Sequence, residues 1–133
     1  MAGPATDLVA HINGSNGLAT GTNLFSGPMR AVGPSMPARA VFVLSSGGYP
    51  PMPFQDSSGQ EYCNATVQVT VRSEAQDYAG GLALAQALRI RIHHATLAGY
   101  VELRVREPEP MYLGQDEAAS HMHVLNVEME YRR

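Results

Sequence analysis

The chain has 133 residues, of which 44% are hydrophobic, and it carries a formal net charge of −3 at pH 7. This length supports one hydrophobic core but not two, so we expect a single domain over residues 1–133. All nine basic residues are arginine, which excludes the phosphate-binding lysine of P-loop proteins and the lysine of Schiff-base enzymes. No dense basic cluster favours direct nucleic-acid binding.

The N-terminus and the single cysteine both favour folding inside a cell. Met1 to Pro4 has neither a basic group nor a long apolar run, so we expect no secretory signal. No stretch approaches the roughly 18 apolar residues of a membrane helix. Cys63 has no partner for an internal disulfide. It shares its predicted strand face with three valines, which favours a buried thiol over a catalytic nucleophile.

Residues 1–38 predict a short helix followed by an irregular arm. Thr6 is a suitable N-cap, and Leu8, Val9 and Ile12 recur at the spacing of one helical face before a glycine ends the helix. The prolines and glycines that follow predict an extended, non-helical path.

Residues 39–133 predict a core of sheet and helix. A continuous apolar run at 40–44 is typical of a strand covered on both faces. Between about Asp77 and His94 the apolar residues recur at helical spacing. Alternating residues predict three more strands, at 66–72, 100–106 and 121–133. We therefore predict an α+β fold: an antiparallel or mixed four-stranded sheet, one long helix from about Asp77 to His94 packed on it, and a short N-terminal helix.

Tyr49, Pro50, Met52 and Phe54 belong to a proline-rich loop. Proline lacks the N–H that a β-ladder needs, so we expect this loop to stay outside the sheet. Two interpretations remain open. The loop is a rigid connector whose aromatic residues pack back on the core, or it is a contact loop for another subunit, because aromatic residues and methionine are frequent at interfaces.

Four histidines offer the one candidate metal site. His121 and His123 share a face of the last predicted strand, while His93 and His94 close the long helix. We predict no metal site and favour a structural role, because His121 and His123 begin a row that continues as core residues, and a cation suits the C-terminal end of a helix. No GxSxG, HExxH or CxxC motif is present, so we expect neither catalysis nor a cofactor.

Five short segments carry a resemblance to a known family. They are 21–27 (GTNLFSG), 40–43 (AVFV) followed by Gly47-Gly48 and prolines, 67–72 (VQVTVR) followed by Asp77-Tyr78, 110–116 (PMYLGQD), and 131–133 (YRR). Their order and spacing, over about residues 18–133, resemble those of the tail-terminator or minor-capsid (neck) family of tailed bacteriophages. The N-terminal helix is shorter here than is usual in that family.

The resemblance implies a structural role in a virion made in the host cytoplasm. Proteins of this family form a ring, usually a hexamer, at the head-proximal end of the tail tube. The ring ends tube polymerisation and joins the tail to the head connector, and DNA passes through its lumen without specific binding. The partners would be further copies of the chain, the tail tube protein and the connector or stopper protein, with no membrane involved. The alternatives are another head–tail joining protein or a small histidine-based metal-binding protein. The residues expected in subunit or tube contacts are Tyr49, Pro50, Met52, Phe54, Met111, Tyr112 and Asp116.

Overall fold

The structure, a computed structural model, describes residues 2–28, 37–55 and 58–133. The elements follow the chain as α1 (Pro4–Ile12), β1 (Leu24–Ser26), β2 (Ala40–Gly48), β3 (Met52–Pro53), β4 (Glu61–Ser73), α2 (Tyr78–Ile92), β5 (Tyr100–Val105), β6 (Met111–Gln115) and β7 (His121–Arg132). Neither helix in these ranges is long and apolar enough to cross a membrane.

The strands form one mixed sheet in the order β1-β2-β4-β7-β5. β1 runs parallel to β2, and every other pair is antiparallel. β4 and β7 pair along almost their whole lengths, from Tyr62 opposite Arg132 to Ser73 opposite His121. β3 pairs with the start of β4 on the β2 side, and β6 pairs with the start of β7 on the β5 side. β3 and β6 therefore lie at diagonally opposite corners of the sheet.

The prediction of a four-stranded sheet is wrong, although the fold is α+β. The four predicted strands are present as β2, β4, β5 and β7, but β1, β3 and β6 join them in a seven-stranded mixed sheet. These three strands have three, two and five residues, too few for a clear alternation of apolar and polar residues. They pair along longer neighbours, which a local sequence pattern does not reveal.

The proline-rich loop does join the sheet, contrary to expectation. Met52 and Pro53 pair with Tyr62 and Glu61 of β4. The next ladder bond comes from Phe54, whose N–H donates to the carbonyl of residue 60 at 3.0 Å. Pro53 is tolerated because β3 is an edge strand.

The long helix starts and ends close to the predicted limits. The Asp77 carboxylate accepts a hydrogen bond from the Gly80 N–H at 3.1 Å and so caps α2. Tyr78, the first residue of α2, is exposed. The buried face of α2 consists of Gly81, Leu84, Ala85, Leu88 and Ile92.

The N-terminal helix also packs on the sheet, but Thr6 does not cap it. The helix begins earlier, at Pro4, because proline is well suited to a first helical turn. The Tyr100 hydroxyl donates to the Asp7 carboxylate at 2.6 Å and ties β5 to α1. The predicted apolar face, Leu8, Val9 and Ile12, is buried in the same cluster as the valines of the sheet.

Candidate assembly surface

The first exposed corner of the sheet is formed by residues 49–54 together with Arg132, and we call it the hairpin corner. Tyr49 is 60% exposed and Met52 is 66% exposed. Pro50, between them, is also exposed. Large apolar side chains at such exposure on a proline-stiffened turn are suited to contact with another surface.

One glycine directs the chain into this corner. The register of β2 shifts between Ser45 and Gly48, and Gly48 has a φ of +143°. A Cβ at this position would lie 2.2 Å from the carbonyl oxygen of Asn64, so a side chain does not fit without a shift of the backbone. The Tyr49 N–H donates to that same carbonyl at 3.0 Å, which fixes where the corner leaves the sheet.

Phe54 and Arg132 contact each other within the hairpin corner. The Arg132 guanidinium carbon lies 5.9 Å from the centroid of the Phe54 ring, a distance typical of a cation–π contact. Phe54 is half-buried. It therefore packs back on the sheet, as one interpretation of the loop predicted, while Tyr49 and Met52 stay exposed, as the other requires.

The second exposed corner comprises Met111, Tyr112 and Leu113 of β6 with Glu117 of the following turn, and we call it the β6 corner. The ladder between β6 and β7 shifts between Tyr112 and Gly114. Gly114 has a φ of +100°, which accommodates this bulge. Leu113, the extra residue, is 55% exposed. Met111 to Leu113 thus present an apolar strand at the edge of the sheet.

Tyr112 is held by an aromatic cluster. Its ring centroid lies 5.2 Å from that of Tyr78 and 5.2 Å from that of His123. The Tyr112 hydroxyl and His121 Nδ1 are 2.8 Å apart, and His121 Nε2 lies 2.8 Å from the Ala75 carbonyl oxygen. Because a carbonyl only accepts, Nε2 carries a proton. In neutral His121, Nδ1 therefore accepts from the Tyr112 hydroxyl.

Asp116 fastens the turn between β6 and β7 instead of standing free. Its Oδ2 accepts from Arg72 Nε at 3.1 Å, and its Oδ1 accepts from the N–H groups of Ala118 and Ser120, both at 2.9 Å. Burial alone would raise the pKa of Asp116. The hydrogen bond from Arg72 and those from the two backbone N–H groups outweigh it and hold the pKa below its usual value. Asp116 was predicted as a contact residue, which remains a prediction, and both of its carboxylate oxygens accept hydrogen bonds from neighbouring residues.

A buried polar pair beneath α2 was missed by the sequence analysis. Ser73 Oγ and both ring nitrogens of His123 are buried and have no hydrogen-bond partner within the ranges that the structure describes. Alternation placed His123 at the solvated end of its row, but the residue is fully buried. Burial, with a smaller contribution from His121, lowers the pKa of His123. Tyr78 of α2 also packs against His123, because the two ring centroids are 5.1 Å apart.

The four histidines do not form one site. His121 and His123 lie at the N-terminal end of α2, whereas His93 and His94 follow its C-terminal end. The 15 residues of α2 span roughly 22 Å. His93 Nδ1 accepts from the Val105 N–H at 3.0 Å, and His94 Nδ1 is 3.3 Å from a Glu102 carboxylate oxygen. Among the described residues, no group of three or more His, Cys, Asp or Glu is placed to hold a metal ion.

Cys63 is buried, as predicted. Its Sγ lies 3.8 Å from Glu61 Oε1, and its strand partner is Tyr131. His121 and His123 pair with the opposite end of β4. Neither His121 nor His123 is therefore placed to act as the base that a nucleophilic thiol would need.

Acidic and basic groups pair on the sheet face away from the helices. Arg104 lies 2.7 Å from Glu128, 3.4 Å from Glu130 and 3.8 Å from Glu102. A hydrogen bond to Glu130, with burial as the next contribution, raises the pKa of the Tyr62 hydroxyl to about 12. Arg106 adds a second contact, 3.7 Å from Glu128, so two arginines are shared among the three carboxylates.

No protein-family model matches this chain, and the search of curated proteins returned no match. Function therefore has to be inferred from the surfaces described above. Their main feature is the pair of exposed apolar corners, which differ from each other and lie diagonally across the sheet. Such an arrangement suits association through two different patches.

Proposed function

We propose that this protein is a structural component of a bacteriophage virion. In this proposal it forms a closed ring, a hexamer as is usual in the family it resembles, at the head-proximal end of the tail tube. The ring ends tube polymerisation and joins the tail to the head connector. Its partners are other copies of the chain, the tail tube protein and the connector, and it is made in the host cytoplasm without a cofactor or catalytic role.

The diagonal placement of the two corners is the observation that carries this proposal. A two-fold dimer uses the same patch on both subunits, whereas a ring uses two different patches that meet head to tail. The hairpin corner lies at the start of β4 on one side of the sheet, and the β6 corner lies at the start of β7 on the other. Each subunit thus presents two distinct surfaces to two neighbours.

The free strand edges support the same arrangement. In the ranges 2–28, 37–55 and 58–133, β3 pairs only with β4 and β6 pairs only with β7. An edge with unpaired backbone groups favours pairing with another chain unless it is covered. Burial of both edges in a ring would remove this liability.

The charge of the chain is consistent with a lumen that carries DNA. A net charge of −3 and the ion-paired sheet face offer DNA no strong attraction. DNA must slide through such a ring, and a strongly basic lumen would hold it.

The first test is the mass in solution by light scattering over a concentration series, with negative-stain images with and without purified tail tubes. We expect rings of about six copies, or caps at one end of the tubes. A Tyr49→Ser/Met52→Ser variant, which changes only exposed side chains, should lose assembly while it keeps a cooperative melt. Ile90→Ser is the matched control, because Ile90 is an exposed apolar residue outside both corners. A chain that stays monomeric and leaves the tubes uncapped would contradict the proposal.

Another head–tail joining protein of the neck is the second candidate, because two unlike corners serve any ring on the same axis. The two candidates differ in what the ring binds. A tail terminator caps purified tubes and stops their growth, whereas a neck protein of the head binds DNA-filled heads and leaves tube length unchanged. Mixing labelled protein with each particle separates them.

A further inference from the structure

We propose that neighbouring copies of this chain meet corner to corner, with the hairpin corner of one copy seated in the groove beside β6 of the next. Arg132 of the first copy then faces Glu117 of the second. This inference rests on the proposed ring, and it adds which surfaces form the subunit contact and what fixes their pairing.

The receiving surface is an open groove of about 510 Å³ between β6 and the turn that leads to β7. Leu113, Ala118 and Met122 supply its apolar lining. Glu117 lies on the same lining and is exposed. Asp116 also lines the groove, but its carboxylate already forms an ion pair with Arg72 of the same chain. The groove thus combines an apolar lining with one exposed anionic side chain.

The hairpin corner has the complementary chemistry. Tyr49 and Met52 are exposed on a turn stiffened by prolines, so little conformational entropy is lost when they bind. Arg132, behind them, is exposed and stacks on Phe54. In the part of the chain that the structure describes, no carboxylate forms an ion pair with Arg132, and no basic group forms one with Glu117.

Charge selects this pairing over its alternatives. If two hairpin corners met, two Arg132 side chains would be brought together, and if two β6 corners met, two Glu117 side chains would be. Like charges at a contact oppose association, whereas opposite charges favour it and set the register. Because both halves of the complementary pair lie on one chain, the partner that fits is a second copy of this chain.

Variants with one added cysteine and a short bis-maleimide cross-linker test the contact in the full-length protein. Tyr49→Cys and Leu113→Cys, mixed over a concentration series with and without tail tubes, should cross-link to each other. Each variant alone should not. A chain with both substitutions should give a ladder that ends at the ring. Cys63 is buried, and the unsubstituted protein measures its background. Ala83→Cys, on an exposed position of α2, replaces either partner as the control.

Charge reversal then tests the register. Glu117→Arg in the Leu113→Cys chain, or Arg132→Glu in the Tyr49→Cys chain, should each lower the cross-linking yield at low concentration. We expect roughly a tenfold loss, which corresponds to about 1.4 kcal/mol. Mixing the two reversed chains should restore the yield, which a general loss of folding would not allow.

The outcomes separate this inference from the proposed function. Rings without cross-linking of the Tyr49→Cys and Leu113→Cys pair above the Ala83→Cys control would overturn the corner contact and leave the ring. Efficient cross-linking of Tyr49→Cys to itself would also overturn it. Cross-linked chains that never cap a tail tube would support the contact and contradict the terminator role. If neither rings nor cross-linking of the Tyr49→Cys and Leu113→Cys pair is seen at any concentration, both the proposed ring and the corner contact are contradicted.

Discussion

The two exposed corners of the sheet differ in how they are held. The β6 corner is fastened by side chains, since Asp116 binds Arg72 and Tyr112 joins the cluster of Tyr78 and His121. The hairpin corner is fastened mainly by its backbone, through the close approach of Gly48 to β4. Substitutions of the residues that fasten the β6 corner, Asp116 and Tyr112, should therefore affect both folding and assembly, whereas exposed residues of the hairpin corner should affect assembly alone.

Asp116→Ala should have the largest effect on stability. The Asp116 and Arg72 side chains are mostly buried, and removal of the carboxylate leaves the guanidinium without its charge partner. We expect a loss of about 3 kcal/mol in the free energy of unfolding, measured by urea denaturation at pH 7. Glu117→Ala, at the exposed neighbouring position, is the control and should change stability by less than about 0.5 kcal/mol. Equal losses in the two variants would show that the pair does not hold the corner.

The same pair predicts behaviour in acid. The pKa of Asp116 is lowered in the folded protein, so the unfolded chain binds the proton more readily. The contribution of Asp116 is therefore complete above the unfolded carboxyl pKa of about 3.9 and is lost as the pH falls toward the folded value. The difference in stability between the wild type and Asp116→Ala should shrink over that range.

The long elements were predictable because their periodicity is local. The alternation from His121 onward placed Leu125, Val127 and Met129 on one face, and all three are buried. The short strands were not predictable, because Met52 and Pro53 pair only where β4 offers an edge. Their sequence is typical of a loop, but pairing with β4 in the folded protein makes these residues a strand.

The candidate site was predictable in composition but not in its bonds. Aromatic residues, methionine and proline marked residues 49–54 as a surface loop, and Tyr49 and Met52 are exposed. Nothing in the local sequence showed that Asp116 binds Arg72, 44 positions away, or that His123 is enclosed by Tyr78 from a different element. Such long-range contacts depend on how strands and helix meet, which the sequence pattern leaves open.

The buried histidine beside the β6 corner predicts an intermediate, pH-dependent effect. Burial lowers the pKa of His123 in the folded protein, and burial followed by repulsion from His94 lowers that of His93. The unfolded chain therefore binds more protons as the pH falls below about 6.5, and stability decreases. Each group contributes up to about 1.4 kcal/mol per pH unit.

Urea denaturation between pH 7.5 and 5 measures this effect. His123→Met fills the site without a titrating group, so we expect a clearly shallower fall of stability with decreasing pH. The remaining slope includes the contribution of His93. Leu125→Met, a core substitution on the same strand, is the control and should keep the wild-type slope. An unchanged slope in His123→Met would show that His123 does not remain neutral and enclosed in the folded protein.

Gly48→Ala should have an effect that is confined to the hairpin corner. A Cβ at Gly48 would meet the Asn64 carbonyl oxygen, whereas a Cβ at Gly47 meets nothing within 4 Å. Both glycines have positive φ, so Gly47→Ala carries a backbone penalty without the clash. We expect Gly48→Ala to cost at least about 1 kcal/mol more than Gly47→Ala in urea denaturation. Hydrogen exchange should then show faster exchange of the Tyr49 amide in Gly48→Ala but not of the Tyr112 amide. If both amides exchange faster, the two corners are coupled through β4 and β7, and their independence in folding is contradicted.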